Sequence, residues 1–148
     1  MTIQPITIVL AEDDDGHAML IQRSLKRAGF VNEIVRVKDG QEALDFVHAQ
    51  GTYTGRIHMN RLLILLDINM PRMDGVEALR QIKAKEATRT IPVVMLTTTD
   101  DPNEIAHCYQ LGCGIYITKP IDSEKFSEAV GRLGLFLQVV KVPAEHLA

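Results

Sequence analysis

No run in this 148-residue chain approaches the roughly 18 consecutive apolar residues that a membrane-spanning helix needs. The opening MTIQPITIVL has neither the charged n-region nor the cleavage site of a secretory signal, so a cytoplasmic location is expected. There is no basic block to neutralise phosphates, and the net charge is −3, which argues against nucleic acid and membrane surfaces as partners. Cysteine is scarce. Cys108 and Cys113 lack the C-x-x-C spacing of a zinc site and read as reduced packing residues. Internal repeats, low-complexity tracts and convincing linkers are absent, so the length accommodates one compact domain and not two.

What is present is an alternation of short apolar runs with amphipathic segments. ITIVLA (Ile6–Ala11) is a strand, and Ala18, Ile21, Leu25 and Ala28 then recur at helical spacing before Gly29. VNEIVRV (Val31–Val37) reads as an edge strand, with a helix placing Ala43, Leu44 and Val47 on one face. Gly51–Arg61 shows no period and is expected to be a loop. The unbroken LLILL fits a parallel strand covered on both faces. Asp74 and Glu77 resemble an Asp variant of the capping box and open a third helix carrying Val76, Leu79 and Ile82. IPVVMLT is a fourth strand, and Asp101-Pro102-x-Glu104 starts a helix that runs to Gly112. GIYIT is the fifth strand, and a last helix begins at about Asp122 or Ser123. Five strands alternating with five helices give an α/β fold with one doubly wound parallel sheet.

In such sheets the ligand site lies beyond the carboxyl ends of the strands. Strand one ends in Glu12-Asp13-Asp14-Asp15, strand three in Asp67, strand four in Thr97-Thr98-Thr99, and strand five in Thr118-Lys119-Pro120. Two unit charges 4 Å apart repel by about 4 kcal/mol at an effective dielectric near 20. Glu12, Asp13 and Asp67 therefore raise their pKa values or recruit a cation. Oxygen ligands without His or Cys at ligand spacing favour Mg²⁺, with Mn²⁺ as a substitute, over zinc. Lys119 supplies a point charge for a phosphate oxygen. Together these groups describe phosphoryl transfer with an aspartate nucleophile. Asp14 and Asp15 read as a helix cap and a solvated charge, and His17 as a surface helix position.

The ordered motifs AEDD, LLDINMPRMDG, LTTTDD and YITKP resemble the CheY-like receiver domain of two-component response regulators. The resemblance spans nearly the whole chain and implies strand order 2-1-3-4-5 in a flavodoxin-like (βα)5 fold. It implies one receiver domain over 1–148, with a core at about 6–140, a tail at 141–148 and no output domain. By the same resemblance Asp67 is the phosphoacceptor, Asp13 and Glu12 are metal acids, and Asn69 offers a backbone carbonyl to the metal. Lys119 pairs with the phosphoryl group, Pro120 follows a cis bond, and Thr97 and Tyr116 form the switch. Thr99 lies where the family tunes dephosphorylation. The implied partner is a sensor histidine kinase. The implied response is a rearranged surface of the fourth helix, fifth strand and fifth helix. Self-dephosphorylation is at most slow, so the protein is not expected to be an enzyme. Details of the first helix, the long loop before strand three and RLGLFLQVV look similar to response regulators of bacterial phytochrome kinases. Leu135, Phe136, Val139, Val140 and Val142 spread apolar surface around the last helix and predict a homodimer through the C-terminal segment.

Three alternatives differ in testable ways. A haloacid dehalogenase-type phosphatase demands a second acid two residues past the nucleophile, where this chain has Asn69. A flavodoxin-like FMN binder needs a hydroxyl- and glycine-rich phosphate loop after strand one, where four consecutive acids stand instead. A phosphate sink with no downstream effector would carry the same site residues as a transmitter.

Overall fold

The computed structural model describes residues 6–55, 61–98, 100–120 and 122–132. Five strands, β1 (Thr7–Ala11), β2 (Ile34–Val37), β3 (Leu62–Asp67), β4 (Val93–Thr97) and β5 (Ile115–Thr118), form one sheet in the order β2-β1-β3-β4-β5. All four pairings are parallel. The connecting helices are α1 (Asp15–Arg27), α2 (Gly40–Val47), α3 (Gly75–Ala84), α4 (Pro102–Leu111) and α5 (Ser123–Arg132).

The strand alternation explains why LLILL carries no polar residue. Leu63 and Leu65 join a core with Ile21 and Leu25 of α1 and Phe126 of α5. Leu62, Ile64 and Leu66 join the opposite core with Leu44 of α2, Leu79 and Ile82 of α3, and Cys108 of α4. Each fully buried side chain of this size contributes about 1.5–3 kcal/mol of gross hydrophobic stabilisation, so neither face tolerates polarity. With both faces covered, the strand ends remain the place for polar chemistry.

Helix starts follow local rules. Asp14 Oδ1 accepts from the His17 N–H at 2.8 Å, Asp74 from Glu77 at 2.9 Å, and Asp101 from Asn103 at 3.0 Å. The last turn of α4 closes on Gly112 at φ 108°, with Gly112 N–H donating to Tyr109 and Cys113 N–H to Cys108.

Three expectations need correction. The edge strand begins at Ile34, not Val31, because the Asn32 side-chain amide occupies the Ile6 carbonyl at 2.7 Å while Val31 turns outward. The capping box at α3 is half made: the Glu77 carboxylate accepts two bonds from Arg80, at 2.6 and 2.7 Å, a charge-assisted fork that outcompetes a reach back to Asp74. Within the expected loop after α2, Gly51–Tyr53 form a 3₁₀ turn, with Tyr53 set edge-on to Phe46 at 5.1 Å. The apolar C-terminal segment expected to carry a homodimer, residues 133–148, lies outside the described residues, as does Thr99.

Candidate functional site

The carboxyl ends of β1, β3, β4 and β5 bring Glu12, Asp67, Thr97 and Lys119 together from four places in the chain. Glu12 and Thr97 are fully buried, Asp67 is 4% exposed, and Asp13 faces solvent. One carboxylate oxygen from each of Glu12, Asp13 and Asp67 lies within 4.8 Å of the others. Lys119 closes the cluster. Its ammonium bonds the Glu12 carboxylate and sits 3.4 Å from Asp67 Oδ2, with the lysine side chain only 8% exposed. Its backbone N–H donates to the Thr97 carbonyl at 2.6 Å, which ties the end of β5 to β4. The Lys119–Pro120 peptide is cis.

The electrostatics bear on Asp67. Burial and then the Glu12 carboxylate push its carboxyl up from the ordinary 3.8 to about 6, against the opposing pull of Lys119. An acid so perturbed, with an open-sided acidic neighbour in Asp13, is a donor set for a hard divalent cation.

Residues 8–131 match the family model of the response regulator receiver domain. The chain belongs to that family. Response regulator Rcp1 of Synechocystis is 35% identical over 95% of both chains. A solved Mn²⁺-bound form of Rcp1 superposes with a TM-score of 0.73, covering 95% of this chain and all of that one at 34% identity. The bacteriophytochrome response regulator RtBRR is 35% identical with a TM-score of 0.83, over 94% of this chain and 84% of that one. A receiver domain from Rhodospirillum rubrum is 47% identical with a TM-score of 0.72, over 93% and 97%. These relatives are signalling proteins, not classical enzymes.

In this receiver domain the Thr97 and Tyr116 side chains are hydrogen-bonded. Burial raises the Tyr116 hydroxyl above its usual range, and a hydrogen bond with Thr97 pulls against that rise. The Tyr116 N–H donates to the Tyr109 hydroxyl at 3.2 Å, and Tyr109 stands 47% exposed on α4. Asn69 sits exposed in the β3–α3 loop. Cys108 and Cys113 are buried, and burial, chiefly, pushes the Cys113 thiol up to about 12, which suits an inert packing residue.

Sequence reasoning missed the supports. Arg36 of β2 donates to the Glu12 carbonyl through Nε at 3.0 Å and through an Nη at 2.9 Å, and bonds Asp15 at 2.6 Å. Asp15 is therefore a partner in fixing the acidic loop and not merely solvated. His17 is a surface residue as expected, yet its Nδ1 lies 3.3 Å from the Lys119 ammonium and 3.9 Å from Glu12. The parallel register of β1 and β2, not any local motif, brings Arg36 under this loop.

Proposed function

We propose that the protein accepts a phosphoryl group on Asp67 from the phosphohistidine of a sensor kinase, with a divalent cation, Mg²⁺ in the cell, held by Glu12, Asp13, Asp67 and the Asn69 carbonyl. The carrying observation is the lysine-closed cluster of three acids, with Glu12 and Asp67 buried and Asp13 exposed, where β1 and β3 end. An Asp67 oxygen attacks phosphorus, the bond from phosphorus to the imidazole nitrogen breaks, and the imidazole leaves. A cation held by these acids would supply charge neutralisation for the phosphoryl oxygens, and Lys119, already within 3.4 Å of Asp67, would turn from Glu12 to pair with one of them. An open depression of about 440 Å³, lined among others by His17, Thr98 and Lys119, borders the lysine side of the cluster. The likeness to a bacteriophytochrome response regulator supports a phytochrome kinase as donor. Incubation with acetyl phosphate and Mg²⁺ is expected to add one phosphoryl mass, and chelation to abolish it. Labelling that is unchanged in EDTA overturns the metal-assisted reading.

The same proposal extends to the switch. Thr97 moves toward the phosphoryl group, releases its bond with Tyr116, and the change reaches Tyr109 on the α4–β5–α5 surface. The chain has three tyrosines, so 3-fluorotyrosine labelling yields three ¹⁹F signals. Phosphorylation should shift Tyr109 and Tyr116 while Tyr53, paired with Phe46 far from β5 toward the opposite edge of the sheet, stays still. Lys119→Ala should keep partial labelling but lose these shifts. Parent-like shifts in that variant would remove the lysine from the coupling.

A further inference from the structure

The β3–α3 loop carries everything between the acceptor carboxylate and the next helix. Within it Arg72 has φ 62°, a left-handed backbone that a non-glycine residue adopts only against strain. Its Nε lies 2.8 Å from Asp39 Oδ2, an oxygen contributed by the neighbouring β2–α2 connection. Asp39 is 7% exposed, and its other oxygen caps α2 by accepting from the Glu42 N–H at 2.8 Å. Burial works to raise the Asp39 carboxyl, but the bonds from Arg72 and the Glu42 N–H prevail and hold it below the ordinary range. One residue on, the Gly40 N–H donates to the Met73 carbonyl at 2.9 Å. A Cβ at Gly40 would stand 2.4 Å from that oxygen, so the two backbones meet where only glycine fits.

An ion pair whose arginine is 65% exposed adds little net stability, and the strained backbone subtracts from it. The arrangement therefore does something other than hold the domain together. We infer that Asp39 and Arg72 form a clasp that sets the path of the β3–α3 loop, and with it the placing of Asp67 and the Asn69 backbone around a divalent cation. Both are positioning residues, acting through the loop. This inference rests on the metal-assisted reading of the acidic cluster given above.

Mn²⁺ titration of the full chain, followed by loss of the free-ion EPR signal, tests it. In Arg72→Ala the apparent Kd for Mn²⁺ should rise about tenfold, the lower end of what outer support residues of metal sites contribute. Arg72→Lys should recover part of that loss. Asp39→Asn keeps a capping oxygen for α2 while removing the charge, and should weaken Mn²⁺ to a similar degree. Thermal midpoints of all three in EDTA should stay close to the parent. A parent and Arg72→Ala with equal Mn²⁺ affinity overturn the clasp alone. So does a loss of affinity that merely tracks a lowered thermal midpoint without rescue by lysine. A parent that takes up no Mn²⁺ overturns the metal reading and the clasp with it.

Discussion

Asp67→Asn is expected to take up no phosphoryl group from acetyl phosphate in Mg²⁺, a loss of at least 100-fold, and yet to unfold at a higher temperature than the parent in EDTA at pH 7.5. Both results follow from the same carboxylate. An amide oxygen is too weak a nucleophile to replace it, and Glu12, the other buried carboxylate beside Lys119, is held in its own bond to that lysine. The stability effect comes from proton linkage. Asp67 titrates at about 6 in the folded protein against 3.8 ordinarily. Below pH 4 both folded and unfolded chains hold the proton, and the site costs nothing. As pH rises from 4 to 6 the unfolded chain releases its proton while the folded one retains it, so folding stability falls with pH. Above pH 6 the penalty is complete and on the order of 2–3 kcal/mol. Asp67→Asn removes that penalty, which for a domain of this size raises the thermal midpoint by roughly 5 °C. The difference between the two proteins should vanish near pH 4, and added Mg²⁺ should stabilise the parent far more than the variant. A variant no more stable than the parent at pH 7.5 would mean that Lys119 already neutralises the strain among the acids.

Gly75→Ala should be strongly damaging for so small a substitution. A Cβ there would lie 2.1 Å from the Asp67 carbonyl oxygen, 2.9 Å from its carbon and 3.0 Å from the Ile68 Cα. All three are backbone atoms at the end of a central strand, so no side chain can swing away. The start of α3 must retreat, breaking the Gly75 N–H bond to the Ile68 carbonyl at 2.8 Å. Overpacking of this kind costs about 3 kcal/mol, which chemical denaturation would register as a shifted midpoint. Phosphoryl uptake should fall as well, since the displaced atoms belong to Asp67, the residue proposed as acceptor. A Gly75→Ala protein with the parent's midpoint and labelling would show that α3 slides freely on the sheet.

Much of the site was readable in advance because its residues lie at strand ends, where an apolar run stops abruptly at a polar side chain. LLILL running into Asp67, and IPVVML running into Thr97, are local signals. The caps at Asp74 and Asp101 were equally local, since each bond closes within three residues. The start of β2 has no local signal because its limit is fixed by a side-chain bond from Asn32 to Ile6, 26 residues away. Spacing alone does not rank Asp74 against Arg80 as the partner of Glu77, because both lie one turn away from it. Arg36, Arg72 and Asp39 carry no local signal for one common reason: each bonds a partner in a loop that follows a different strand.

From residues alone came the alternation of strands and helices, the two-sided burial of the central strand and the convergence of acids, hydroxyl and lysine, because periodicity and strand-end polarity are properties of contiguous segments. Only the tertiary structure decided which acid is pushed up, that Lys119 rests on Glu12, and that the start of α2 meets the β3–α3 loop through Asp39 and Gly40. Those outcomes depend on distances between segments that parallel pairing brings side by side, and electrostatic and steric energies are set by distance.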